Sequence, residues 1–517
     1  VTAPAQGRAG FGDLCLVTGA TGYIGGRLVR ELLAAGYRVR CLSRDPSQLR
    51  DQPWADRVES VRADLRDPAS LTGALDGVDI AYFLAHSLGS GPQFERTEAA
   101  AARNLAEAAA HADTRRIVYL GALLPQAVPK AELSPHLRSR AAVGRILRAG
   151  KVPTAELRAA VVLGSGSASF EMLRYLTERL PVMVTPRWVN TLIQPIAVHD
   201  VLRYLVAAAQ LPPQVDRSFD IGGPDVLTYR EMMLRYAGVA GLRPRVIMPA
   251  PVLTPALSSH WIGLVTPVPR GLARPLVESL RHEVVCHEDD IKRYIPDPPQ
   301  GLLGFDDAVR LALSRIKDAE VATRWSSATF PGAPSDPLPT DPDWAGGSLY
   351  EDLRQAAVAA SASDLWRVVE GIGSDNGWYS FPLAWALRGW LDRTVGGVGL
   401  RRGRRDPYRL RVGDSLDFWR VEEIEPGTLL RLRAEMRLPG LAWLELRVQP
   451  DGPSRSRYTQ RAIFHPRGLA GHAYWWSAAP FHSIVFGGMV RNIAHQATRQ
   501  PPASHKRHHS GLISTWS

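Results

Sequence analysis

Thr18-Gly19-Ala20-Thr21-Gly22-Tyr23-Ile24-Gly25 decides how this chain is read. The segment ends a short apolar run that begins at Leu14, and it opens YIGGRLVRELLAAG, whose apolar residues recur with helical period. Three glycines alone are a weak signal; a strand before them and a helix after them give the pattern its meaning. Gly19 permits the tight turn, Gly22 lets the backbone approach a pyrophosphate, and Gly25 lets helix and sheet pack closely. The helix start then presents unpaired N–H groups and a positive dipole end to phosphate oxygens. Thr21, Tyr23 and Ile24 complete the loop, Tyr23 either reaching toward the pyrophosphate or simply packing.

Working outward, strands are predicted at Tyr37–Arg44, Val58–Leu65, Val78–His86 and Arg115–Leu123, with another in PTAELRAAVVLG. Helical segments separate them, including ERTEAAAARNLAEAAAHA and the stretch around Arg138–Ala149. Strands alternating with helices of this length imply βαβ crossovers and a parallel sheet covered on both faces. The fold class expected is α/β, doubly wound, with ligand sites at the carboxyl ends of the strands. Further along, Thr228 is placed to cap the helix that begins YREMM.

The end of the second strand distinguishes NAD from NADP. It carries Ser43-Arg44, with Asp45 one position on. A hydroxyl and a guanidinium suit a 2′-phosphate, which a carboxylate would repel. NADP(H) is therefore expected over NAD(H), with Asp45 the residue that keeps the NAD alternative open. Asp64 and Leu65 are placed at the adenine edge, and Leu84, Ala85 and His86 beneath the nicotinamide ribose.

These residues, with FDIGGPDVLTYREM, resemble the atypical short-chain dehydrogenase/reductase family, nearest its NmrA-like and complex I accessory-subunit branch. The likeness covers residues 12–317 and implies a Rossmann domain that binds a nicotinamide dinucleotide. It also implies a Tyr-x-x-x-Lys helix and a serine after the fifth strand, and here the chain departs. In Ser134-Pro135-His136-Leu137-Arg138-Ser139-Arg140, His136 stands at the tyrosine position and Arg140 at the lysine position. Leu120-Gly121-Ala122-Leu123 supplies no serine. Either His136 is a substitute acid/base, with Arg140 one turn on keeping positive charge near the ribose, or the site binds NADPH without such chemistry and acts as a redox sensor or regulatory protein. His136 at a helix start also fits a simple cap. Residues between Ser165 and His199 are expected on the substrate side, Met172, Met183 and Trp188 making it apolar unless they are ordinary core. His287-Glu288-Asp289-Asp290 reads as a solvated acidic stretch rather than a metal site.

Residues 318–345 are rich in proline and read as an extended linker. Beyond it, 346–500 shows a strand, a helix, several Gly- and Pro-punctuated strands and a helical stretch from about Gly468 to His495 interrupted by Pro480. Leu430-Arg431-Leu432-Arg433 alternates as if one sheet face were wet. The order of elements and the ending HPRGLAGHAYWWSAAPFHSIVFGGMVRNIA resemble the START/SRPBCC helix-grip fold, an α+β domain. The resemblance implies an apolar cavity between sheet and helix. Trp366, Trp378, Trp385, Trp390, Trp419, Trp443, Trp475 and Trp476 line such a cavity or fill a core.

Composition closes off other classes. With 517 residues, 45% hydrophobic and 22% charged, the chain is globular and long enough for two or three domains. Cys15, Cys41 and Cys286 are too few and too scattered for a disulfide framework. The start lacks a signal-peptide layout and no apolar run spans a membrane, so a cytoplasmic setting is expected. The net charge of +11 is arginine-dominated, and nothing accompanying it suggests nucleic acid. Arg401-Arg402-Gly403-Arg404-Arg405 is a candidate contact for an anionic membrane surface, and the tail HKRHHSGLISTWS reads as disordered. The expected activity is that of an NADP(H)-dependent oxidoreductase on an apolar molecule.

Overall fold

The computed structural model describes residues 12–86, 93–126, 128–129, 131–249, 266–322, 338, 341–342, 349–373, 378, 409–436 and 438–499. Ser87, Trp385, Trp390, the Arg401–Arg405 cluster, the C-terminal tail and most of the proline-rich segment lie outside them. The chain divides into two units, Val1–Gly347 and Ser348–Ser517.

The first unit is built on β1 (Leu14–Thr18), β2 (Arg38–Ser43), β3 (Glu59–Arg62), β4 (Ile80–Phe83), β5 (Arg116–Ala122) and β6 (Thr154–Ala159). Between and after them run α1 (Tyr23–Ala34), α2 (Pro68–Leu75), α3 (Phe94–His111) and α4 (Pro135–Arg148). With β11 (Arg217–Ile221) the strands form one seven-stranded sheet in the order β11-β6-β5-β4-β1-β2-β3, parallel throughout. The strand order turns at β1, whose neighbours β2 and β4 leave in opposite directions and open a crevice at their carboxyl ends. Fully buried β1 and β4 read as unbroken apolar runs because helices cover both faces.

Short ladders complete the unit. Val162–Leu163 (β7) pairs with Ile196–Ala197 (β10), Val182–Thr185 (β8) with Val246–Pro249 (β13), and Leu192–Ile193 (β9) with Leu227–Thr228 (β12). Helices α5 (Ala168–Arg179), α6 (Val198–Ala208), α7 (Tyr229–Val239), α8 (Arg270–Ser279) and α9 (Phe305–Ala322) surround them. Thr228 and Glu231 form a reciprocal capping box at α7. Met172, Met183 and Trp188 are all buried in one hydrophobic cluster there, so most of the expected apolar surface is core. The acidic stretch is put to structural use. Glu288 accepts from the Asp220 amide, Asp220 accepts from the His287 amide, and Asp290 pairs with Arg217. Two described residues of the proline-rich segment are anchored rather than loose: Leu338 packs against Gly26, and Asp341 takes a two-pronged ion pair from the buried Arg27 at 2.7 and 2.9 Å.

The second unit is an antiparallel sheet, β14 (Tyr350–Val358), β15 (Ser415–Leu416), β16 (Trp419–Glu425), β17 (Leu429–Ala434), β18 (Gly440–Pro450) and β19 (Ser456–Pro466), in the order β14-β19-β18-β17-β16-β15. It carries α10 (Ala362–Glu370) and α11 (Gly468–Arg499). Helix α11 runs unbroken through Pro480, contrary to the interruption expected there. The alternating face is only partly wet: Arg433 is exposed, whereas Arg431 is buried. Arg431 bonds Glu445 at 2.8 Å and also Glu423, and Arg461 joins Glu445 to Glu351, so the cations are buried in an ion ladder across the strands. A buried charge is tolerated only when paired in this way. Trp366, Trp378, Trp419, Trp443 and Trp475 are buried, whereas Trp476 is exposed. Among the described residues, no helix is long and apolar enough to cross a membrane.

Candidate cofactor and substrate site

The crevice at the sheet's switch point is a cavity of about 950 Å³. All thirteen residues assigned above to the dinucleotide line it: Gly19, Thr21, Gly22, Tyr23, Ile24, Gly25, Ser43, Arg44, Asp64, Leu65, Leu84, Ala85 and His86. Arg140 lines it as well; His136 does not.

Backbone geometry builds the phosphate end. The Thr18 hydroxyl donates to the Tyr82 carbonyl at 3.0 Å and accepts from the amides of Leu84 and Ala85, locking the end of β1 to that of β4. Gly19 has φ of +72°, a conformation that favours glycine. A Cβ on Gly25 would fall 2.1 Å from the Gly19 carbonyl oxygen, so only glycine fits. Helix α1 has no side-chain cap at its N-terminus, leaving its first amides available to an anion in the cavity. The Tyr23 hydroxyl is buried without a hydrogen-bond partner and is directed at Gly164, where a Cβ would come within 2.3 Å of it. Burial pushes its pKa up, and Arg27 stacks 4.1 Å above its ring, so the side chain mainly packs.

At the ribose corner the Asp45 carboxylate is turned back on its own chain. It accepts from the Ser47 hydroxyl at 2.6 Å and the Ser47 amide at 3.1 Å, which together hold its pKa below the usual carboxylate range. Ser43 exchanges hydrogen bonds with the Asp45 backbone. Asp64 is paired with Arg66, whose hydrogen bonds lower its pKa, assisted by the charge of Arg44. Arg44 lines this corner and suits a phosphate, whereas the Arg66 guanidinium is committed to the Asp64 carboxylate. Asn104 on α3 donates to the Leu65 carbonyl at 2.8 Å and so fixes the Leu65 wall of the cavity.

Side chains from three elements build the opposite end. His86 Nδ1 lies 2.5 Å from Glu98 Oε1 on α3, and the other Glu98 oxygen accepts from Ser139 on α4. Glu98 is 2% exposed, whereas the His86 side chain keeps 30% of its surface open. Burial alone would raise the Glu98 pKa; the hydrogen bonds from His86 and Ser139, with the charge of Arg140, outweigh it and bring it to about 2. Burial lowers the His86 pKa, the Arg140 charge lowers it further, and Glu98 opposes both. Arg140 donates to the Leu120 carbonyl and packs 4.9 Å over the Tyr119 ring. Its Nη1 is buried without a hydrogen-bond partner, which fits oxygen atoms of a ligand in the cavity.

His136 stands behind this group, its ring centroid 5.2 Å from that of His86. It borders a separate recess of about 60 Å³, together with Leu123, Met172, Tyr229, Ser279 and Val284. Burial, with His86 and Arg140 nearby, lowers its pKa to about 3, and its ring lines this recess rather than the larger cavity. Its Nδ1 and the Tyr229 hydroxyl are both buried without hydrogen-bond partners. Sequence reasoning missed Glu98, Ser139 and Arg66. Glu98 had left a signal, since it interrupts the alanine-rich buried face of α3. Among the described residues no group of carboxylate, imidazole and thiol ligands is arranged to hold a metal.

Residues 19–161 match a family model described as NAD(P)H-binding, and residues 344–489 match one described as a protein of unknown function (DUF2867). The chain is 31% identical over 266 residues to the ceramide reductase of Caulobacter vibrioides, an alignment covering 50% of this chain and 81% of that protein. It is 37% identical over 113 residues to cinnamoyl-CoA reductase 1 of Oryza sativa, covering 21% of this chain and 33% of that protein, so it spans only a third of the rice reductase. An NADPH-dependent quinone oxidoreductase of Escherichia coli, solved with NADPH, is similar at 18% identity with a TM-score of 0.45, covering 57% of this chain and 98% of that one.

Proposed function

The chain belongs to the NAD(P)H-binding, NmrA-like family of atypical short-chain dehydrogenase/reductases, and on that premise we propose that it is an NADP(H)-dependent oxidoreductase acting on an apolar substrate of the lipid, quinone or polyketide-like class. The observation that carries the proposal is the single cavity that gathers the glycine loop, the Ser43–Arg44 corner and the His86–Arg140 end. Gly19, Thr21, Gly22, Ile24 and Gly25 hold the pyrophosphate, while Ser43 and Arg44 receive the 2′-phosphate. Asp64 and Leu65 border the adenine, and Leu84, Ala85, His86 and Arg140 border the nicotinamide ribose. The bound nicotinamide gives or takes a hydride. The apolar recess beside His136 and Tyr229 accepts part of the substrate. The second unit, a six-stranded antiparallel sheet with a 32-residue helix and a buried tryptophan-rich core, is proposed as a helix-grip module that holds the apolar molecule.

Following NADPH consumption across a panel of quinones and ketones tests the reading. Turnover of at least one apolar carbonyl is expected. Tight NADPH binding with no turnover would favour the second reading, a redox-responsive binding protein, which the absence of the Ser/Tyr/Lys set supports.

A further inference from the structure

We propose that His86 carries the proton of the reaction and that Glu98 is the positioning residue that fixes its tautomer. The inference rests on the oxidoreductase reading above and replaces His136 in the proton-handling role. Three observations support it. The His86 ring borders the cofactor cavity at the carboxyl end of β4 and keeps 30% of its side-chain surface open. Its Nδ1 is committed to Glu98 at 2.5 Å, so Nε2 is the nitrogen left for a reacting oxygen. Glu98 is itself held by the Ser139 hydroxyl and buried, so it cannot swing away.

The groups facing His86 are Glu98 from α3 and Arg140 and His136 from α4. The ionised Glu98 accepts from Nδ1–H, and that bond leaves the Nε2 lone pair directed away from it. A buried carboxylate so placed orients an imidazole and stabilises the imidazolium that forms when Nε2 takes a proton. In the oxidising direction the substrate O–H bond breaks and its proton passes to Nε2. The adjacent C–H bond breaks as well, its electron pair leaves as hydride to the oxidised nicotinamide, and a carbonyl forms. In the reducing direction the hydride adds to the carbonyl carbon, and the imidazolium returns its Nε2 proton to the oxygen. Burial, and after it the charge of Arg140, opposes protonation of His86, so the neutral ring predominates near neutrality. Reduction should therefore slow, and oxidation quicken, as pH rises.

The test uses the full chain labelled with ¹⁵N-histidine, the His86 signal being assigned with His86→Phe. The expected spectrum is a neutral ring protonated on Nδ1, with a protonation midpoint that falls further in Glu98→Gln. A ring protonated on Nε2 overturns the proposal, and so does a midpoint unmoved in Glu98→Gln. If Glu98→Gln does not fold, the tautomer in the parent still decides. With 9,10-phenanthrenequinone as the probe and NADPH at saturation, His86→Phe should lose about 100-fold or more in turnover. Unchanged turnover in His86→Phe overturns the proposal. If the parent binds NADPH but does not reduce the probe, the oxidoreductase reading is the one in difficulty, and the tautomer alone decides this one.

Discussion

The two ends of the cofactor cavity are made from different materials. Backbone makes the phosphate end: a positive-φ glycine, a glycine no Cβ can replace, and a helix start without a side-chain cap. Titratable side chains from β4, α3 and α4 make the nicotinamide end, each held by the next. The first end is determined by a run of eight residues. The second exists only after residues 86, 98, 136 and 140 have been folded together. A backbone site tolerates few substitutions and binds the part common to all dinucleotides, whereas a side-chain site can be rewired to new chemistry without disturbing the fold.

Gly25→Val should give the largest effect on this contrast. With a Cβ at 2.1 Å from the Gly19 carbonyl, the loop must open, and NADPH affinity should fall by more than about 100-fold. Fluorescence titration checks it, with circular dichroism to show that the fold survives; retained affinity would break the claim that backbone shape sets this end. Arg44→Ala should weaken NADPH by about 1.4–2.8 kcal/mol, roughly 10–100-fold, and leave NADH nearly unchanged. Equal losses for both cofactors would remove Arg44 from 2′-phosphate recognition.

The acid limb of stability probes the nicotinamide end. His136 has its pKa lowered to about 3, so below the ordinary value of 6.5 the unfolded chain takes a proton that the folded chain refuses. Stability from this group is full above 6.5 and is lost as pH falls, amounting to about 2 kcal/mol between pH 7 and pH 5. Urea unfolding of His136→Phe should show a flatter acid limb than the parent, and parallel limbs would mean that His136 is not buried neutral. Tyr23→Phe should be the smallest change. The hydroxyl has no partner, so stability and NADPH affinity should move by no more than about 0.5 kcal/mol. A loss near tenfold in NADPH affinity would show instead that the hydroxyl reaches the cofactor.

The same contrast explains what the sequence made legible. The strands of the first unit follow apolar runs bounded by glycine and polar residues, and the loop's glycine spacing matches its backbone geometry, so fold class and cavity lining are readable from a single line of residues. Side-chain direction is not. His136 and Arg140 are one helical turn apart, yet Arg140 reaches the cofactor cavity while His136 is folded into a recess behind it. The pairing of His86 with Glu98 joins two helix and strand ends across residues 87–93, a contact no periodicity reveals. In the second unit, Leu430–Arg433 alternates, yet Arg431 is buried between Glu423 and Glu445 while Arg433 is exposed; a charge-paired position and a solvated one look alike in the sequence because the partners sit on neighbouring strands.

One titration tests the central claim most directly: equilibrium binding of NADPH and of NADH to the full chain, followed by nicotinamide fluorescence. The account predicts saturable binding of both, with NADPH tighter by about tenfold or more because Arg44 meets its extra phosphate. Equal affinities would contradict the assignment of that corner, and no binding of either would contradict the reading of the cavity itself.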